Sequence, residues 1–145
     1  MHDDPPGAAA AHAMRDAIAR ALATTSVLAD AAGATLAASG GSATALATLD
    51  LGLPRWDPAR VHGHVLRADR LASLAAWLVA TPSDAVLARA ALDPGRARIL
   101  AAGALVLDAI VRAAGAPALR VSDHGIRHAY LRARLAADGV EAAWG

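Results

Sequence analysis

The chain has no cysteine, no phenylalanine and no lysine, and a single glutamate, Glu141. The missing cysteine removes disulfides, thiolate metal sites and cysteine nucleophiles together. Aromatic residues make up 3% of the 145 residues. Few large side chains are therefore available to anchor a core, and few rings to stack on bases. No uncharged apolar run approaches the roughly 20 residues that span a bilayer. The greasiest stretch, Ile99 to Ala114, is broken by Asp108 and Arg112. The opening Met1-His2-Asp3-Asp4-Pro5-Pro6 is acidic and proline-rich, where a secretory signal is basic and then apolar. Formal net charge is +1, which gives no strong field to attract nucleic acid or a membrane surface. These absences fit a cytoplasmic protein with no nucleic-acid or membrane partner.

What is present is small and aliphatic. Hydrophobic residues are 56% of the chain, and alanine dominates them. The length suits one domain. The composition predicts helices packed closely around Leu, Val and Ile, with Trp56, Trp77 and Trp144 as rare bulk. Residues 1–7 read as a flexible segment, 8–136 as the folded unit and 137–145 as a tail.

Along the chain, Met14, Ile18 and Leu22 form one apolar stripe on a helix from Ala8 to about Ala32, stopped by Gly33. Ala34–Ala38 reads as a buried strand before the Gly40-Gly41-Ser42 turn. Ser42 is placed to cap a helix from Ala43 to about Asp50. Three later helices share one device, a capping residue followed by proline at the first helical position. Asp57-Pro58 opens a short turn ending at Gly63, Thr81-Pro82 a helix to about Leu92, and Asp93-Pro94 a long apolar helix to about Ala114. Ala68–Ala80 is a helix with Leu71, Leu74 and Leu78 on one face. Leu119–Ser122 is a second strand, and Gly125–Ala136 the last helix. Two short strands cannot make a stable sheet alone. They either pair under a cover of helices or need strands from elsewhere.

Three places suggest chemistry. The strand–Gly-Gly-Ser–helix unit exposes backbone N–H groups at a helix start, which suits phosphate. Ser42 and Thr44 would add hydroxyl donors, although an ordinary tight turn has the same pattern. Arg96 lies in the first turn of its helix, where a cation opposes the dipole. Its compensating anion is either a ligand or simply Asp93 and solvent. The segment Val121–His128 is locally basic, and His124 and His128 stand four apart. Neither that pair nor His62-Gly63-His64 has an evident third ligand, so no metal site is assigned.

Several segments together resemble one family. Gly40-Gly41-Ser42-Ala43-Thr44-Ala45-Leu46-Ala47 is similar to Gly-Gly-Thr-Ala-Thr-Thr-Leu-Ala of the Ppx/GppA phosphatases. These are exopolyphosphatases and guanosine pentaphosphate phosphohydrolases. Trp56-Asp57-Pro58-Ala59-Arg60-Val61-His62-Gly63-His64 resembles their Tyr-Asp-Pro-x-x-Val-His-Gly-His. The run from Leu92 through Arg96 to Gly103 resembles Leu-x-Pro-x-Arg-Ala-x-x-Ile-x-x-Gly. Val121–His128 is similar to Val-Ser-x-x-Gly-Leu-Arg-x-Gly. The match covers roughly residues 34–132.

The resemblance implies a helix-rich α/β unit, part of the second lobe of an actin-like, ribonuclease-H-like ATPase fold. It implies hydrolysis of phosphoanhydride bonds in polyphosphate or (p)ppGpp, with Mg²⁺ and a carboxylate that orients water. The phosphate-contacting positions carried over are Gly40, Gly41, Ser42, Thr44, Arg96 and Arg127. Ser42 stands for the usual Thr, Ala45 for a second Thr, and His128-Ala129 for an acidic residue and Gly. The family's first-lobe Asp-x-Gly-Ser/Thr motif, its Asp-x-Gly-Gly-Gly-Ser loop and its catalytic Glu have no counterpart, and no catalytic residue is assigned. The expectation is a segment inactive alone, completed by an N-terminal half or a homodimer partner. The alternatives are a phosphate-binding or regulatory module, or a truncated remnant with an exposed sheet edge.

Overall fold

The burial of α6, Pro94–Ala113, organises the chain. Ala97, Leu100, Ala101, Ala104, Leu105 and Val111 are buried along one stripe. Their spacing of three and four residues puts them on one side of the helix. Against that stripe pack α1 (Gly7–Ala23), α2 (Gly41–Asp50), α4 (Ala68–Ala80) and α5 (Ser83–Leu87). The remaining helices are α3 (Pro58–Val61) and α7 (Ile126–Ala137), and the strands are β1 (Leu36–Ser39), β2 (Val65–Arg67) and β3 (Ala118–Ser122). This computed structural model describes residues 4–26, 31 and 35–139.

The three strands form one sheet in the order β1-β3-β2. β1 runs parallel to β3, with Leu36 opposite Leu119 and Ser39 opposite Ser122. β2 runs antiparallel to β3. Leu66, Leu119 and Val121 point into the core, while Val65 and Arg120 face outward. The two expected strands do pair, but with a third that the sequence reading missed. Val65-Leu66-Arg67 is too short for its alternation to stand out.

Asp57 and Asp93 both cap as their Asp-Pro steps predict. Each carboxylate accepts the backbone N–H three residues on, from Arg60 at 3.3 Å and Arg96 at 3.1 Å. Elsewhere the boundaries move. α1 ends at Ala23, where the Thr24 hydroxyl donates to the Ala21 carbonyl at 2.8 Å. Hydroxyl-rich Thr24-Thr25-Ser26 competes with the helix for its own backbone. The expected stop at Gly33 lies outside the described residues. α5 spans five residues rather than reaching Leu92. Thr81 closes α4 instead of opening α5, its hydroxyl donating to the Trp77 carbonyl. The cap of α5 comes from far away: the Asp4 carboxylate accepts from the Ser83 backbone N–H at 2.8 Å and from its hydroxyl. The Ser83 hydroxyl, and then its N–H, hold the Asp4 carboxyl below the usual range.

The core is leucine, valine and alanine. Trp56 is not part of it, being 47% exposed. Trp77 packs at its edge, with the Arg89 guanidinium 4.9 Å over its ring. Trp144 lies outside the described residues. Alanine lets helices approach closely, and α2 meets α6 where Ser42 lies against Gly103. A Cβ on Gly103 would fall 2.6 Å from the Ser42 Cβ and overlap its Oγ. Gly103→Ala should therefore destabilise the fold by roughly 1–3 kcal/mol, the usual cost of overpacking. Ser42→Gly in the same chain should recover part of that loss. Urea denaturation of the parent chain and the two variants checks both; an unchanged midpoint for Gly103→Ala would show that the helices can move apart.

Candidate phosphate cleft at three helix starts

β1 hands the chain to α2 with no intervening loop. That junction requires Gly40, whose φ of 100° and ψ of 175° suit glycine. No side chain caps α2, so its first amides are left to the cleft. Ser42 is the second helical residue, not the cap. It faces Gly103 and does not line the cleft. The Thr44 hydroxyl does reach the cleft wall, but it donates to the carbonyls of Gly40 and Gly41, at 3.2 and 3.3 Å. Ser42 is thus turned away from the cleft, and the Thr44 hydroxyl is already hydrogen-bonded to backbone carbonyls.

Gly41 serves a second purpose. A Cβ there would sit 3.3 Å from Nε and 3.4 Å from Cζ of Arg96. The missing side chain lets the guanidinium lie across the start of α2. Arg96 reaches it from the first turn of α6. Asp93 caps α6 through the Arg96 backbone N–H, and among the described residues it makes no ion pair with the Arg96 guanidinium. From the third side comes α7, whose extended Gly125 cap is followed by Arg127 and His128.

These three helix starts enclose a cavity of about 290 Å³, lined also by Trp56 and Asp123. Each helix N-terminus carries roughly half a positive charge. Among the described residues no carboxylate pairs with Arg96 or Arg127. The one lining carboxylate, Asp123, is held by His62, whose Nδ1 lies 2.6 Å from Oδ1. The arrangement suits a multiply charged anion. Other cavities differ. The one beside Asp50 contains Arg70 and Arg89, but Arg70 is paired with Asp50 at 2.5 Å and Arg89 covers Trp77.

The model of the Ppx/GppA phosphatase family matches residues 1–136. The chain belongs to the Ppx/GppA phosphatase family. No curated protein sequence matches it. Among solved structures it is similar to an Aquifex aeolicus Ppx/GppA family member, with 22% identity and a TM-score of 0.81 over 97% of this chain. A second Aquifex aeolicus structure, described as a PPX-GPPA enzyme, has 23% identity and a TM-score of 0.79 over 92% of this chain. An exopolyphosphatase from Cytophaga hutchinsonii has 18% identity and a TM-score of 0.74 over 97% of this chain. The chain spans 45%, 44% and 46% of those three proteins. The shared fold is the actin-like ATPase fold of Ppx/GppA structures, and this chain is a helix-rich α/β part of it.

Of the six positions carried over from the Ppx/GppA motifs, Gly40, Gly41, Thr44, Arg96 and Arg127 line one cleft, and Ser42 stands behind it. Trp56, Asp123, Gly125 and His128 join them, all from segments that resemble the family. Their meeting depends on β1 pairing with β3, which no local pattern announces. Magnesium takes oxygen ligands in near-octahedral geometry. One carboxylate beside imidazoles does not make that cage, so no step is assigned to magnesium here.

Cations at helix starts oppose the dipoles, at about 0.3–1 kcal/mol each. Arg127→Glu should therefore leave the fold no less stable, and raise stability by about that amount. The urea midpoint measures this. A lower midpoint would show that Arg127 is held for folding instead.

Proposed function

We propose that this chain supplies the anion-holding wall of a Ppx/GppA phosphohydrolase acting on the phosphoanhydride bonds of polyphosphate or (p)ppGpp. The observation that carries this reading is the pair Arg96 and Arg127, set at converging helix starts with no carboxylate partner among the described residues. Guanidinium offers a planar fork that matches phosphate oxygens. The α2 amides and the helix dipoles add positive potential without mobile side chains. A linear polyanion spanning the cleft would meet both arginines. Hydrolysis then requires a carboxylate to orient water, with magnesium bridging phosphate oxygens. In this reading both belong to an N-terminal half that closes over the cleft. Binding without cleavage is the role left to the chain by itself.

Trp56 favours a second substrate within the same reading. Its half-exposed ring at the cleft offers a stacking surface for a guanine base, as (p)ppGpp would supply.

The first test is binding. Polyphosphate of defined length should bind in a salt-sensitive manner. Arg96→Ala and Arg127→Ala should each weaken it by about tenfold or more, given roughly 1.5–3 kcal/mol for a charged hydrogen bond. Titration calorimetry reads this directly, and affinity unchanged by both substitutions would sink the proposal. Trp56→Ala should weaken (p)ppGpp binding more than polyphosphate binding. For hydrolysis, phosphate release with Mg²⁺ should appear when a family N-terminal half is added. No release from a folded complex would leave binding as the function.

A further inference from the structure

A second constellation lies beside the cleft. His62 follows the last turn of α3, and Asp123 and His124 follow β3. His62 Nδ1 is 2.6 Å from Asp123 Oδ1, and His124 Nε2 is 3.6 Å from the same oxygen. Each of the three residues offers one ligand atom such that all three lie within 4.8 Å of one another. The rings of His62 and His124 are 4.4 Å apart, and His128 stacks on His124 at 4.8 Å.

The backbone holds these groups in place. The Gly63 N–H donates to the Val121 carbonyl, and the Val121 N–H to the His64 carbonyl, both at 2.8 Å. This extends the β2–β3 pairing up to His62. The Ser122 hydroxyl closes the turn at His124, accepting its N–H at 3.1 Å. The ligand atoms are thus carried by ends of packed elements, which fixes them better than a long loop would.

Two imidazoles and one carboxylate form a donor set for borderline transition metals, not for magnesium. Around a tetrahedral zinc ion, with bonds of about 2.0–2.2 Å, ligand atoms stand about 3.3–3.5 Å apart. The His124–Asp123 separation is already close to that. The His62–Asp123 contact needs to open by less than about 1 Å, with the His62 proton carried on Nε2 so that Nδ1 is free to ligate. The two imidazole nitrogens, within 4.8 Å of each other, need to close by no more than about 1.5 Å. We infer that His62, Asp123 and His124 bind one zinc-class divalent ion, with a fourth position left to water or to an oxygen ligand. The inference stands on these three residues and not on the phosphate reading. A chain that binds zinc but no polyphosphate would leave it intact.

The experiment uses the untagged chain in a non-chelating buffer. Calorimetry with Zn²⁺ should show one equivalent bound. His62→Gln, Asp123→Asn and His124→Gln should each weaken it by more than about 100-fold, beyond the roughly 10–100-fold that loss of an outer partner costs. His2→Ala and His12→Ala should leave affinity unchanged. Circular dichroism confirms that each variant is folded. Ring resonances of the unmutated chain give a readout that needs no substitution: zinc should shift His62 and His124 and leave His12 in place. Absence of binding, binding that survives all three substitutions, or binding lost with His2 or His12 would each overturn the assignment.

Discussion

The site depends on one close approach, the seating of Ser42 against Gly103 where α2 crosses α6. Remove the space at Gly103 and the start of α2 must shift. With it would move Gly40 and Gly41, whose backbone forms one wall of the cleft. The same crossing sets how near Arg96, at the other end of that stretch of α6, comes to α2. Gly41 then accommodates the guanidinium by lacking a Cβ. Two glycines on different helices thus control one distance. The alanine-rich composition makes such approaches possible throughout, but at Gly103 even alanine is too large, and at Gly41 it would press the Arg96 guanidinium aside by a few tenths of an ångström.

The charge arrangement works against helix stability, and in the proposed reading it serves anion capture. Arg96 and Arg127 occupy first turns, where acidic residues are normally favoured. Ion pairs elsewhere in the chain obey the ordinary logic. Arg112 pairs with Asp108 one turn earlier in α6, and Arg67 with Asp69. Asp50, at the unfavourable end of α2, is balanced by His64 at 2.8 Å and by Arg70. The two cleft arginines, which have no carboxylate partner among the described residues, come from the starts of two different helices and line one cavity. Their common feature is the space they face.

Much of this was legible in the sequence where the signal is local. Asp57-Pro58 and Asp93-Pro94 cap as their chemistry dictates, and Leu71, Leu74 and Leu78 are buried as their spacing predicts. The motif segments located most of the cleft. What stayed hidden needed tertiary information. α5 is short and capped by Asp4, 79 residues away. Trp56 has the size of a core residue and lies at the cleft. Ser42 has the chemistry of a cap or a phosphate donor and serves as packing. His62 and Asp123 are 61 residues apart, so their pairing exists only once β2 and β3 align. The sequence showed His124 with His128 and no third ligand. The fold brings His62 from elsewhere and makes Asp123, next to His124, its partner.

Asp123 belongs to both the cleft and the histidine cluster. A lone carboxylate in a cleft built for anions repels the ligand the cleft is made for. Its cost falls if another group takes up its charge. His62 does so by hydrogen bond in the structure as it stands, and a divalent ion would do so more fully. In either case the negative charge of Asp123 is shared with the imidazoles beside it. The position of that one side chain, at the end of the central strand, is what would allow the proposed cation-binding corner and the proposed anion-binding cleft to share a wall.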